Sequence, residues 1–251
     1  MFLIIRNIFK IHLFFYISMF VFLFTGHILE FLIFSGIIFV HEIGHIVFGL
    51  IFSWKIDKVV VLPFGCLTIF NIFINTSLLE QFIVTLMGPL FQVLFFLVID
   101  FVFDLPDWVG FYNYLLLGFN LLPIYPLDGS KLLYVFLCYI FPFKFSHLFI
   151  LFVSFILICL IVFLFSFDFL LYLVLLFLCF KIYIEFRNHR FIFNRFLFER
   201  YLYKFDFKSV KKVRFLSSMF LNCRHLFYDG EKYVSEREKL LKMFDKTYKL
   251  W

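Results

Sequence analysis

The chain has 251 residues, of which 64% are hydrophobic and only 16% charged, against roughly 25% charged in soluble domains. With a mean hydropathy of +1.02, this excludes a soluble globular protein and describes an integral membrane protein. The net charge of +6 is uneven, with 17 Lys and Arg against 8 Asp and Glu from Lys181 onward and 6 against 9 before it; a basic face against anionic lipid headgroups explains that tail better than nucleic acid does.

Spanning a bilayer takes about 20 apolar residues, and the first 186 residues divide into six segments of that kind, near 11 to 29, 31 to 53, 82 to 103, 109 to 140, 147 to 166 and 168 to 186. No small-residue cleavage site follows the first apolar run, so it reads as a retained span. Arg6 and Lys10 precede the first segment, Lys55 and Lys58 follow the second, Lys144 follows the fourth and Lys181 opens the tail. The intervening loops carry Glu30, then Asp100, Asp104 and Asp107, then Asp168, without Lys or Arg. By the positive-inside rule both termini and the Lys55 loop face the cytosol. The five cysteines form no C-x-x-C pair and are expected to form no disulfide. The 47 phenylalanines read as a composition bias on lipid-facing positions.

The second segment holds the most unusual residues in the chain, His41-Glu42-Ile43-Gly44-His45. Helical positions four apart share a face, so His41 and His45 can offer two imidazole nitrogens to one Zn²⁺. Glu42 beside them is placed to take a proton from a water that the ion acidifies, which is hydrolytic chemistry. An ionisable residue at the centre of a bilayer costs roughly 2.5 to 3.5 kcal/mol on insertion scales, so three in one segment need a compensating role. On this topology His45 lies about ten residues, roughly 15 Å, from Lys55, which puts the metal inside the membrane toward the cytosol. His12 and His27, near the ends of the first segment, are poorer ligand candidates.

Between Val59 and Leu79 the chain is β-branched and aromatic, broken by Pro63 and Gly65. The alternation Cys66-Leu67-Thr68-Ile69-Phe70-Asn71 fits an extended hairpin at the membrane edge, able to accept a peptide by strand addition, or an ordinary interfacial loop. Gly88-Pro89 in the third segment permits either close helix approach or a kink. The fourth segment is too long for one span and contains Pro123, Pro126 and Gly129, which predicts a broken helix with its break buried in protein. Asp128 follows the two prolines. Catalytic zinc sites commonly have three protein ligands, so Asp128 is the natural third ligand to His41 and His45.

HEIGH and Asn120-Leu121-Leu122-Pro123-Ile124-Tyr125-Pro126-Leu127-Asp128-Gly129 together resemble the two signatures of the site-two protease family of intramembrane zinc metalloproteases. The strings FSWKI and VVVLPFG at 52 to 65, NLLPIYPLDGSKLL at 120 to 133 and RFLFERY at 195 to 201 are similar to its sporulation branch. The resemblance implies one Zn²⁺ per chain held by His41, His45 and Asp128, with Glu42 activating the water, and gives Asn120 and Pro126 a role in holding the unwound segment or the peptide. It implies a membrane re-entrant loop around Pro63 to Gly65. It also implies cleavage of a membrane-associated precursor of the sporulation sigma factor sigma-K, in the mother-cell membrane around the forespore and with inhibitory membrane partners. Ser130 stands where that branch has a second glycine.

The expected fold is an all-α polytopic membrane protein of about six transmembrane helices with a small re-entrant hairpin, over residues 1–186. A short basic cytosolic α+β tail over 187–251 follows, in which Lys208 to Phe244 resembles half of a cystathionine-β-synthase-type domain. Strands are expected near Ser209 to Val213 and His225 to Tyr228, with helices near Leu216 to Leu221 and Ser235 to Phe244. Two other readings are a general site-two protease cutting anti-sigma factors or signal-peptide remnants, and a non-proteolytic metal-binding membrane protein. The first commonly carries a peptide-binding domain between the two motifs, and the interval from His45 to Asp128 has no room for one beside a span and a hairpin. Retention of Glu42 argues against the second.

Overall fold

The structure, a computed structural model, describes residues 9–11, 13–62, 65–164, 169–207, 209–230 and 232–248. Arg6, His12, Pro63, Asp168 and Lys208, named above, lie outside that set. In chain order the elements are β1 (Phe9–Ile11), α1 (Leu13–Phe24), α2 (Ile28–Ile51), β2 (Lys55–Leu62), β3 (Gly65–Asn71), α3 (Leu78–Phe103) and α4 (Asp107–Asn120). There follow α5 (Asp128–Ile140), α6 (Phe143–Leu164), α7 (Phe169–Leu202), β4 (Val210–Val213), a 3₁₀ turn (Leu216–Ser218), β5 (Arg224–Tyr228), β6 (Tyr233–Ser235) and α8 (Glu236–Tyr248).

Among the described residues, three helices are long and apolar enough to cross a membrane by length and composition, namely α2, α3 and α6. The first expected segment is the 12-residue helix α1. The fourth is two helices, α4 and α5, parted between Asn120 and Asp128 as the prolines require. The sixth does not stop near residue 186; α7 carries it on to Leu202 as one helix of 34 residues.

The chain packs as two units. The first contains β1 to β3, α1, α2, α3 from Phe82 onward and α4. Its sheet has the order β1-β2-β3. β1 lies parallel to β2, pairing Phe9 with Val59. β2 and β3 form the hairpin, antiparallel, with Val59 opposite Thr68 and Lys55 opposite Asn71. Alternating β-branched and aromatic residues suit this pleated surface. Val59 is buried, and Trp54 meets Phe70 edge to face at 5.4 Å. α2 tolerates its neighbours because it is notched by glycine: a Cβ on Gly44 would collide with the Met87 carbonyl of α3, and one on Gly49 with the Phe70 ring.

The second unit takes Phe73–Gln81 and the chain from Pro123 onward. Its core runs through Leu78, Val135, Cys138, Phe143, Phe196 and Leu197 into Met219, Leu221, Phe227 and Leu240 of the tail. The tail therefore shares its apolar interior with α5, α6 and α7. Phe143 and Phe196 stack at 4.3 Å. In the tail sheet, of order β4-β5-β6, β4 runs parallel to β5 and β6 antiparallel to it. The expected helix near Leu216 to Leu221 is only a 3₁₀ turn, and β6 is a third strand where none was expected.

Arg200 ties this unit together. Its guanidinium is buried and donates all five of its N–H groups: to Asn75 Oδ1, the Cys223 carbonyl and Glu236 Oε1, and the Phe220 and Leu221 carbonyls. Asn75 in turn donates to Glu199 and to the Phe196 carbonyl. Burial pushes the His225 imidazole below its ordinary value. Burial also opposes ionisation of Glu236, yet its bonds to His225 and Arg200 prevail and hold it below the usual carboxylate range. Arg200→Met strands these carbonyls and one carboxylate, so thermal unfolding of the variant is expected to show a loss of about 3 to 5 kcal/mol. A melting temperature equal to that of the unmodified chain would contradict the role.

Candidate metal centre

His41, Glu42 and His45 are all buried on α2. Four residues apart on one helix face, the two imidazoles bring their Nε2 atoms to 3.2 Å from one another, with the rings 5.0 Å apart and nearly perpendicular. Each ring is held from its other nitrogen. His45 Nδ1 lies 2.8 Å from the Val84 carbonyl of α3, which only accepts, so Nδ1 carries the proton and Nε2 the lone pair. His41 Nδ1 lies 2.9 Å from Gln92 Oε1. Two lone pairs facing across 3.2 Å repel, and a shared cation removes the conflict. This is the donor set and outer bonding that histidine ligands of zinc ordinarily have.

The third helix has to come close for this to work. A Cβ on Gly88 would fall within the His45 ring, so of the two roles left open for Gly88-Pro89, close approach is the one observed, and α3 continues through Pro89. Glu42 is oriented from the hairpin: its Oε1 accepts the Thr68 backbone N–H of β3 at 2.7 Å.

Asp128, in the second unit, is buried as the first residue of α5, after extended Leu127. A carboxylate is favoured there by the unpaired N–H groups of the first helical turn. It accepts the Lys131 ammonium at 2.8 Å. Ser130 is accommodated by donating its hydroxyl to the Leu127 carbonyl. A buried carboxylate of this kind is an oxygen donor that metal ions accept.

The turn before Asp128 is half-buried around Ile124. The Tyr125 N–H donates to Ser154 Oγ, its hydroxyl donates to Glu185, and Ile124 is fully enclosed. Pro126, half-buried, follows a cis peptide bond. Asn120, half-buried, ends α4 in the first unit. His27 pairs with Glu30 at the start of α2 and is exposed.

Two side chains of the site are absent from the sequence-based expectations. Gln92 and Asn113 are each 1% exposed, and the Gln92 amide nitrogen donates to the Asn113 carbonyl and Oδ1. The available signal was an amide side chain within a hydrocarbon-length apolar run, where it requires a partner.

No family model matches the chain. Among solved structures it matches the site-2 protease from Methanocaldococcus jannaschii with a TM-score of 0.56 and 24% identity, over 70% of this chain and 89% of that one. The chain has the site-2 protease fold. Beside this fold likeness, it is 34% identical over 181 residues to stage IV sporulation protein FB of Bacillus subtilis (strain 168). That alignment covers 68% of this chain and spans 63% of the relative's length.

Proposed function

We propose that the chain is an intramembrane zinc metalloendopeptidase of the site-2 protease family, hydrolysing a peptide bond of a membrane-associated protein within or next to the bilayer. The observation that carries this reading is the facing pair of His41 and His45 Nε2 atoms at 3.2 Å, one residue from a buried Glu42. His41, His45 and Asp128 would hold one Zn²⁺. When bound, the ion supplies Lewis-acid chemistry, acidifying water and polarising a carbonyl. Glu42 accepts the proton of the attacking water at its carboxylate and delivers it to the leaving amine. The Thr68 N–H keeps that carboxylate oriented, and the apolar flanks of α2 exclude bulk water. Asn120 and Pro126 are assigned to holding the peptide or the unwound turn.

Six spans, cytosolic termini and a hairpin re-entering the membrane complete the reading, with the charge alternation along the sequence as their support. The likeness to stage IV sporulation protein FB supports a sporulation role. The substrate we assign is the pro-sequence of sigma-K in the mother-cell membrane around the forespore, under inhibitory membrane partners. The tail, β4 to α8, is assigned as half of a cystathionine-β-synthase-type domain.

The test is co-expression with a candidate sigma-K precursor. A shortened product is expected from the wild type and none from Asp128→Asn, whose purified protein should also hold zinc at least about tenfold more weakly. Cleavage by wild type after exhaustive zinc removal would refute the metalloprotease reading. A precursor left uncut by a zinc-loaded wild type that cuts another membrane protein would refute only the substrate.

A further inference from the structure

We propose that Gln92, itself fixed by Asn113, is a positioning residue that sets the metal affinity of the His41 side of the centre; this rests on the metalloprotease reading above. The two histidines are oriented by different means. His45 is held by the Val84 main-chain carbonyl, which any side chain at that position would supply. His41 Nδ1 instead faces the Gln92 side chain at 2.9 Å, so this contact depends on residue identity.

The Gln92 amide could by itself face His41 with either end. Asn113 removes that freedom. Gln92 Nε2 donates to the Asn113 carbonyl at 2.9 Å and to Asn113 Oδ1 at 3.0 Å, two acceptors that only the –NH₂ end can use. Oε1 is thereby turned to His41, which must donate from Nδ1 and keep its lone pair on Nε2, the nitrogen that faces His45. Asn113 is specialised for this task, since its own Nδ2 is buried without a hydrogen-bond partner, an arrangement that leucine at the same site would avoid. The relay runs from α4 through α3 to α2, so three helices fix one imidazole tautomer.

The experiment measures zinc affinity by chelator competition, and the absorption of the Co²⁺-substituted protein, in purified full-length chain. Wild type, Gln92→Met, Gln92→Glu and Asn113→Leu are compared. Gln92→Met, similar in length but lacking the amide, is expected to weaken zinc binding about 10- to 100-fold and to shift the cobalt bands. Gln92→Glu, which keeps an acceptor toward His41 Nδ1 but loses the donor to Asn113, should recover part of that loss. Asn113→Leu should weaken binding less than Gln92→Met. Wild-type affinity and spectrum in Gln92→Met, or equal losses in Gln92→Met and Gln92→Glu, would overturn the assignment. If Gln92→Met does not fold, Asn113→Leu decides, and unchanged affinity there is the overturning result. A wild type that binds no zinc defeats the metalloprotease reading before any variant is compared, and this inference with it.

Discussion

Glu42→Gln is expected to abolish peptide cleavage while leaving zinc bound. A general base contributes about 10²- to 10⁴-fold, enough to take a shortened product below detection in co-expression. The substitution is otherwise mild. Glutamine offers the same carbonyl oxygen to the Thr68 N–H that Glu42 Oε1 now accepts, so the hairpin keeps its anchor. Glu42 is not one of the three proposed ligands, so zinc per chain, measured on the purified variant, should equal that of wild type. Undiminished cleavage by Glu42→Gln would remove the proposed base, and loss of zinc would recast Glu42 as a ligand.

The second large effect is expected at a residue with no side chain. In Gly88→Ala the new methyl would occupy the space of the His45 ring, and the obstacle on the other side is the α2 backbone, notched at Gly44 against the Met87 carbonyl. Either α3 retreats or His45 rotates away from Val84. Both outcomes separate its Nε2 from that of His41, so zinc affinity should fall by about 100-fold or more, and cleavage with it. Gly36→Ala is the control. It lies on α2, nothing stands within 4 Å of its would-be Cβ, and alanine favours a helix by about 1 kcal/mol over glycine. Its zinc content and activity should match wild type. A Gly88→Ala protein with full zinc affinity would show that the helices have slack the structure does not suggest.

The parts of this site that follow a local rule were legible in the sequence. His41 and His45 announce themselves through helical spacing, and Pro123 and Pro126 require the break that separates α4 from α5. The alternation after Cys66 allowed a hairpin without deciding it, because an interfacial loop has the same composition; the pairing of Val59 with Thr68 decides it. Gln92 and Asn113 were invisible, since their partnership joins two helices and has no period. β1 was missed for the same reason: three residues gain strand character only from a distant parallel neighbour. In the tail the charged helix was readable from composition. The short 3₁₀ turn and β6 were not, because the shared core with α5, α6 and α7 determines how far each element extends.

The Thr68 contact has a consequence for how a peptide could be admitted. β3 is the outer strand of its sheet, and outer strands offer unpaired donors to any passing chain. At Thr68 that donor is already taken by Glu42. One hydrogen bond thus blunts an open edge and tethers the proposed base. A peptide that aligned along β3 at this position would have to displace Glu42 to claim the N–H, freeing the carboxylate at the moment the backbone to be cut arrives. On the proposed reading, docking of a chain and arming of the base would then be a single exchange of partners.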